Sequence, residues 1–478
     1  MDRLDPLYIE AVRYLYDRIN YEKSSDRPYD QRNFRLARME QFLGLLGNPH
    51  LAAPVIHVAG TKGKGSVSWL IAEALRRAGL TVGLYTSPHL VHLEERFVVN
   101  GNPCSPSDLV EQVGKLRQSA ATISQTALGC PTFFEMTTAL AWSLFATHQS
   151  NVNVIEVGLG GRLDSTNICQ SSLAIITSIS FDHQQQLGNT IALIAGEKAG
   201  IIKPNVPVIS GATHTDARDV IQAKCSQTQS PLWELGVDFE SQYQSCSPQK
   251  SKNYQPKGDN QSGKQSVMDF VPLTHRFPLQ KREHIPVRML GKHQADNAAI
   301  AIAAWQRLVA DGWALPQACI EDSIANTQLS CRIEVVSERP TVIVDTSHNI
   351  ASIQALLQTL RDQFQPSRKT IIFGCSKDKD YEMMIGQVLG YSDRVILTQF
   401  QNNPRAVPVE KLEELTRRQG ISSPDVEILS APTSQIAVEF ALSRALDEEL
   451  ICITGSFFLA SETRPMFPKI RVDGNESC

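Results

Sequence analysis

The stretch Gly60-Thr-Lys-Gly-Lys-Gly-Ser66 carries the clearest chemistry in this sequence. It follows the apolar run Pro54-Val-Ile-His-Val-Ala59 and opens a helical pattern over Val67–Arg77, with Leu70, Ile71 and Ala74 on one side. A glycine-rich turn between strand and helix lets backbone N–H groups cradle a phosphate, and the helix N-terminus favours the anion. Lys64 can reach terminal phosphates as a point charge. In the usual nucleotide-binding loop the lysine is followed at once by Ser or Thr, whose hydroxyl binds magnesium. Here Gly65 intervenes, so the hydroxyl has to come from elsewhere, and Ser87 is the candidate. The plain reading is a glycine-rich turn with a solvated lysine. The coincidence of strand, glycines, lysine, hydroxyl and helix argues against it.

Ser87 lies in Tyr85-Thr-Ser-Pro-His-Leu90, after the second apolar run, Val82–Tyr85. Glu156 sits at the end of the run Val152–Val157, and Asp182-His183 follow Ile175–Phe181. In a parallel α/β sheet the loops that leave the strands share one edge, where ligands bind. Ser87, Glu156 and His183 are therefore expected to converge. An oxygen-rich set with one imidazole can hold Mg2+, although nitrogen is an unusual ligand for so hard an ion. Taken singly, His183 reads as a structural histidine and Glu156 as a salt-bridge partner. Their joint placement at strand ends favours the ligand reading.

Further short apolar runs, Leu173–Ser178 and Val206–Ile209, alternate with helical segments, which predicts a parallel α/β sheet. Residues 1–50 read as helices with a polar stretch around Tyr21–Asp30. A second α/β series begins near Cys331, with strands expected at Thr341–Val344, Thr370–Phe373, Val395–Leu397 and Leu450–Thr454 and no second phosphate loop. The helix Ala295–Leu308 and the segment Asp311–Leu329 lie between the two series. The boundary is placed near Ser330, giving domains 1–330 and 331–478. Ser241–Ser266 is rich in Ser, Gln, Lys, Pro and Gly, cannot bury enough surface to offset chain ordering, and is read as a disordered insert.

Composition narrows the function classes. The chain has 478 residues, 42% of them apolar, and a net charge of -4, which gives no bulk attraction to nucleic acid. Ten cysteines occur without a Cys-x-x-Cys pair, so reduced thiols are expected rather than a zinc site or a disulfide framework. The N-terminus does not read as a signal peptide, and no apolar run reaches the roughly 18 residues of a membrane span. A cytoplasmic protein that binds neither membrane nor nucleic acid is expected.

At the level of motifs the chain resembles the dihydrofolate synthase/folylpolyglutamate synthase family, which belongs with the Mur ligases. The resemblance rests on His57–Ser66, Thr86–Leu90, Thr132-Phe-Phe-Glu135, Glu156–Asn167 and Gly196-Glu-Lys-Ala-Gly-Ile201, in that order. It continues through Gly291-Lys-His-Gln-Ala-Asp-Asn297, Leu329-Ser-Cys-Arg-Ile-Glu334, Asp345-Thr-Ser-His-Asn349 and Gly455-Ser-Phe457. It implies a phosphate-loop, Mur ligase central domain followed by a Rossmann-like α/β glutamate-ligase domain. Gly60, Thr61, Gly63, Lys64, Gly65 and Ser66 would hold ATP, and Ser87, Glu156 and His183 the magnesium. Lys198 would match a carboxylated lysine, and Asn297 would contact the base. Arg332 and Asp345 would close over the nucleotide, with His348 near them. Thr132, Phe133, Phe134 and Glu135, with Leu163, Asp164 and Ser165, would line the dihydropteroate pocket. Five positions depart from the common pattern: Lys62 for Asn, Gln184 for Thr, Cys331 for Gly, and Thr346-Ser347 for Gly-Ala.

The reaction so implied joins L-glutamate to dihydropteroate, and by extension to tetrahydrofolate, in a monomeric enzyme. A carboxylate is a poor acylating agent in water; ATP converts it to an acyl phosphate, which the glutamate amine attacks. The protein positions the reactants and offsets charge, with Lys64, Arg332 and Mg2+ acting on the transferring phosphoryl group. Two other readings remain open at this point. One is a folylpolyglutamate synthase without the first activity; the other is a phosphate-loop ATPase or switch protein that ligates nothing.

Overall fold

Apolar runs of four to six residues bounded by turn residues are too short for buried helices and long enough for strands covered on both faces. They form the centre of an eight-stranded sheet. The computed structural model describes residues 2–20, 36–246, 265–275, 279–401, 403–418 and 426–468. By their contacts the residues fall into two units. Unit one comprises Met1–Gln244, Val267–Arg288 and His293–Thr327; unit two comprises Ser245–Ser266, Met289–Lys292 and Gln328–Cys478.

The large sheet of unit one contains β1 (Val55–Ala59), β2 (Val82–Tyr85), β3 (Phe97–Val99), β4 (Asn102–Pro103), β5 (Val152–Glu156), β6 (Ser171–Ile176), β7 (Val208–Ser210) and β8 (Leu232–Glu234). Their order is β4-β3-β2-β5-β1-β6-β7-β8. From β2 to β8 the pairing is parallel, while β3 and β4 add an antiparallel edge. All five residues of β1 are buried, as are all five of β5. Val58 pairs with Glu156 and Ala59 with Ile176, so these strands end level with one another and their loops leave at one edge. The helix Lys64–Arg77 presses Leu70, Ile71, Ala74 and Leu75 inward and ends on Arg76 and Arg77, cations suited to a helix C-terminus.

A three-stranded sheet joins β9 (Phe239–Gln244), β10 (Ser266–Pro272) and β11 (Arg282–Val287). The expected insert is too wide at both ends. Ser241–Gln244 belong to β9 and Ser266 to β10, and the buried Ser241 hydroxyl donates to Asp296 at 2.6 Å. An antiparallel strand with one solvated face carries polar residues at alternate positions, and composition alone does not tell that from an unordered stretch. Residues 247–264 of the insert lie outside the described residues, as does the polar stretch Tyr21–Asp30.

Unit two holds β12 (Glu334–Glu338), β13 (Thr341–Val344), β14 (Arg368–Phe373), β15 (Arg394–Leu397), β16 (Glu427–Ser430) and β17 (Glu449–Thr454) in the order β12-β13-β17-β14-β15-β16. Only β12 is antiparallel to its neighbour. The last strand among the described residues, β17, lies beside β13, so Val344 pairs with Ile453 and the loops after β13 and β17 emerge together. Among the described residues no helix is long and apolar enough to cross a membrane.

Candidate active site

The phosphate loop is held from outside. Thr61 N donates to Ser178 O at 2.7 Å, and Lys62 N to Ser178 Oγ at 3.2 Å. The Thr177 and Ser178 hydroxyls both donate to Lys62 O, at 2.6 and 3.1 Å. Thr61 Oγ1 donates to Ser180 O and accepts from Ser180 N, each at 3.2 Å. The expected strand over Leu173–Ser178 therefore stops at Ile176, and the hydroxyl run beyond it clamps the loop. Two glycines are required by space. At Gly60 (φ +146) a Cβ would lie 1.8 Å from Thr177 Oγ1, and at Gly63 (φ +87) one would lie 2.2 Å from Asn297 Oδ1. Asn297, expected at a nucleotide base, stands against the loop itself, with its Nδ2 donating to Gln294. Gly63, Lys64 and Gly65 stay partly exposed while Ser66 is buried.

Two lysines meet at one carbonyl: Lys64 Nζ donates to Gly60 O at 3.2 Å and Lys198 Nζ to the same oxygen at 2.9 Å. Lys198 is at the end of the helix Ile191–Ala199, only 5% exposed. Burial lowers its amine to about 7, and the charges of Lys64 and Lys62 push the same way against Asp182 and Asp164. Beside them Glu156, 4% exposed, accepts from Ser87 N at 3.1 Å and lies 4.0 Å from Lys64 Nζ. Lys62 Nζ donates to Asp182 Oδ2 at 3.0 Å, which ties the loop to the turn before His183. His183 has φ +51, a 41% exposed side chain, and Nε2 3.9 Å from Asp182 Oδ1.

Among the described residues no three His, Cys, Asp or Glu side chains form a metal-holding group. A magnesium ion that keeps water and phosphate oxygens needs only one or two protein carboxylates. Glu156, buried and joined to the Ser87 backbone, fits that requirement.

The segments expected at the pterin are held by their own hydrogen bonds. Thr132 caps the helix Phe133–Thr147 in a capping box with Glu135, and Arg38 donates to both Glu135 oxygens at 2.9 and 3.0 Å. Phe133 is fully buried and stacks on Tyr16 at 5.1 Å, whereas Phe134 is partly exposed. Gly158 leaves room for that second ring: a Cβ there would lie 2.3 Å from Phe134 Cζ. Asp164 accepts from Leu159 N, Thr166 N and Thr166 Oγ1, and burial raises its carboxyl even so. Leu163 is 6% exposed; Ser165 shares a 2.7 Å hydrogen bond with Thr138. On the Ser87 loop, Arg96 Nε donates to His89 Nδ1 at 2.8 Å. The His89 ring proton therefore sits on Nε2, which donates to the Tyr16 hydroxyl at 3.1 Å.

In unit two Arg332, Asp345 and His348 come together where β13 ends. Both Asp345 oxygens accept backbone N–H groups, from Ile333 at 3.0 Å and Ser347 at 2.8 Å. The helix Ile350–Gln363 is capped by Asn349, so Asp345 organises the turn. Arg332 Nη1 donates to Thr346 Oγ1 at 2.7 Å, and His348 Nδ1 bonds Thr346 O at 2.8 Å. Sequence reasoning passed over the Thr177–Ser180 hydroxyls and gave Thr346 no role. Their signals were a hydroxyl run directly after a buried strand and a departure from the motif.

Two families match the chain: the Mur ligase middle domain over residues 58–305, and the Mur ligase glutamate ligase domain over residues 331–457. The chain is 33% identical to a dihydrofolate synthase/folylpolyglutamate synthase of Bacillus subtilis, covering 90% of this chain and 94% of the relative. It is also 33% identical to a folylpolyglutamate synthase of Lacticaseibacillus casei, covering 96% and 98%. Its structure resembles a Mycobacterium tuberculosis folylpolyglutamate synthase complexed with ADP, with a TM-score of 0.83, 28% identity and coverage of 97% and 99%. E. coli FolC in complex with DHPP and ADP matches with a TM-score of 0.78, 27% identity and 98% of each chain.

Proposed function

Since the chain belongs to the Mur ligase family, in its dihydrofolate synthase/folylpolyglutamate synthase branch, and is an ATP-dependent ligase, we propose that it joins L-glutamate to dihydropteroate and extends tetrahydrofolate with further glutamates. The observation that carries this reading is the cluster at the phosphate loop, where Lys64 and the buried Lys198 share Gly60 O beside Glu156. A loop with one lysine would suffice for a switch protein. A second, buried lysine with a value of about 7 is a device for further chemistry.

Each residue has a task. The Gly60–Ser66 backbone and Lys64 hold the ATP phosphates, and Arg332 supplies a second cation to the phosphoryl group in transfer. Glu156, with Ser87 and His183, would hold magnesium, which supplies charge neutralisation when bound. The neutral Lys198 amine reacts with CO2: a C–N bond forms, one proton leaves to solvent, and an anionic carbamate remains on a long stem. Lys62 and Lys64, whose charges reach Lys198, offset that anion. Phe134 offers a face for the flat pterin. Asp345 holds the turn that carries Arg332, and His348 lies beside it. Once the carboxylate is an acyl phosphate, the glutamate amine attacks its carbon and phosphate leaves. The proposal includes action in the cytoplasm and as a monomer.

One assay tests it. Purified protein with ATP and Mg2+ is given glutamate and either dihydropteroate or tetrahydrofolate, and both ADP and ligated product are measured. ADP release that depends on both co-substrates is expected. ATP turnover indifferent to them would leave only a phosphate-loop ATPase, and product from tetrahydrofolate alone would leave a folylpolyglutamate synthase.

A further inference from the structure

Arg332 is flanked by two residues in left-handed backbone, Cys331 (φ +57) and Ile333 (φ +47). Side chains with a Cβ rarely adopt that region, and a β-branched residue least of all. Hydrogen bonds hold the turn there: Cys331 N donates to Glu334 Oε2 at 2.8 Å, Ile333 N to Asp345 Oδ2 at 3.0 Å, and Thr346 N to Cys331 O at 3.0 Å. So much support for three residues indicates that the direction of Arg332 matters.

Thr346 is 1% exposed and uses every polar atom it has. Its N–H ties down the turn, its hydroxyl accepts from Arg332 Nη1 at 2.7 Å, and its carbonyl takes His348 Nδ1 at 2.8 Å. A carbonyl oxygen only accepts, so His348 Nδ1 carries a proton and donates it. The guanidinium has five N–H groups in a planar fork and a large rotamer entropy. One short hydrogen bond to a buried hydroxyl aims the fork while other N–H groups remain for anionic oxygens.

We propose that Thr346 is the positioning residue of unit two, presenting Arg332 through its hydroxyl and His348 through its carbonyl. The inference rests on the assignment of Arg332 to the phosphoryl group.

Thr346→Val removes the hydroxyl and keeps shape and backbone. Arg332 is partly exposed, so its N–H can turn to water and the fold should persist; Thr346→Ala is the smaller second choice. Expected for Thr346→Val is a kcat about tenfold lower or more, with the melting temperature nearly unchanged and the KM for ATP changed by less than about threefold. Thr346→Ser should recover most of the loss. The double variant Arg332→Ala/Thr346→Val should be no slower than Arg332→Ala alone, because the hydroxyl acts through the guanidinium. A fully active Thr346→Val beside a crippled Arg332→Ala would overturn the role of Thr346 and leave the Arg332 assignment standing. A fully active Arg332→Ala would instead remove the assignment itself. Losses that multiply in the double variant, or a Thr346→Ser as slow as Thr346→Val, would also refute the positioning role.

Discussion

The two units build their polar clusters in opposite ways. In unit one a contiguous segment, Gly60–Ser66, contributes backbone, cation and hydroxyl, and distant residues such as Thr177, Ser178 and Asp182 hold it in shape. In unit two no contiguous segment suffices. Arg332 and His348 come from two turns that meet on one threonine. The first design separates chemistry from support, so a side chain can be lost without loss of fold. The second places support and chemistry side by side, and a single hydroxyl carries the geometry.

The contrast is open to tests of decreasing size. Lys64→Ala should lower ligation by at least about 100-fold, since preorganised charge at a transferring phosphoryl group is a large effect. Its side chain is 17% exposed and makes one hydrogen bond, to Gly60 O. The melting temperature should therefore move little. A folded variant with ordinary turnover would end the nucleotide assignment in unit one.

Lys198→Ala should lose ligation almost as completely, with partial return on adding a small carboxylate such as acetate. Lys198 also gives unit one a pH signature. The folded chain holds this amine at about 7, against an ordinary value of 10.5. Between those values the unfolded chain binds a proton that the folded chain lacks, so stability rises with pH across the window. Below about 7 both states are protonated and the burden of a buried ammonium is greatest. Melting in CO2-free buffer at pH 6.5 and pH 9 should show the rise in the parent, and Lys198→Met should flatten it. Parallel curves for the two proteins would contradict the buried, neutral amine.

Phe134→Ala sharpens the comparison by asking whether unit one's aromatic residues divide labour as its loop does. Phe133 is fully buried on Tyr16, while Phe134 is partly exposed above Gly158. The Phe134 variant should raise the KM for dihydropteroate by about tenfold, in line with lost ring contacts, and leave the KM for ATP within about twofold. Unaltered pterin kinetics in a strongly destabilised protein would make Phe134 a core residue.

The smallest effect is expected between β9 and β10. Gln244 and Val267 are ladder partners, so a short turn can join them. A chain shortened within 247–264 should ligate at the parent rate, because loop length changes closure entropy only slowly. A folded but inactive short form would give that segment a task which its composition does not reveal.

Much of unit one was legible because its signals are local. The buried run Val55–Ala59, the glycines after it and the apolar stripe of the following helix are neighbours in the chain, and period and turn chemistry report them directly. The placement of Glu156 and Ser87 followed from parallel strands ending level. Strands β9 and β10 were missed because polar alternation on a half-solvated hairpin resembles an unordered linker. Thr132 and Glu135 were noticed as part of a motif, but not as the capping box and Arg38 partner that they form.

What the sequence determined by itself is the inventory of reactive groups and the local frame of each: phosphate loop, lysines, strand-end carboxylates, and two α/β series. Tertiary structure decided what each group is. Lys198 is separated from Gly60 by 138 positions, and burial against that carbonyl, among other cations, is what lowers its amine to about 7. Asn297 became a neighbour of Gly63 only when its helix lay against the loop. Thr346 became the seat of Arg332 and His348 only when a strained turn folded back over the end of β13. Desolvation and hydrogen-bond partnership depend on what stands within a few ångströms, and neither periodicity nor spacing records that distance.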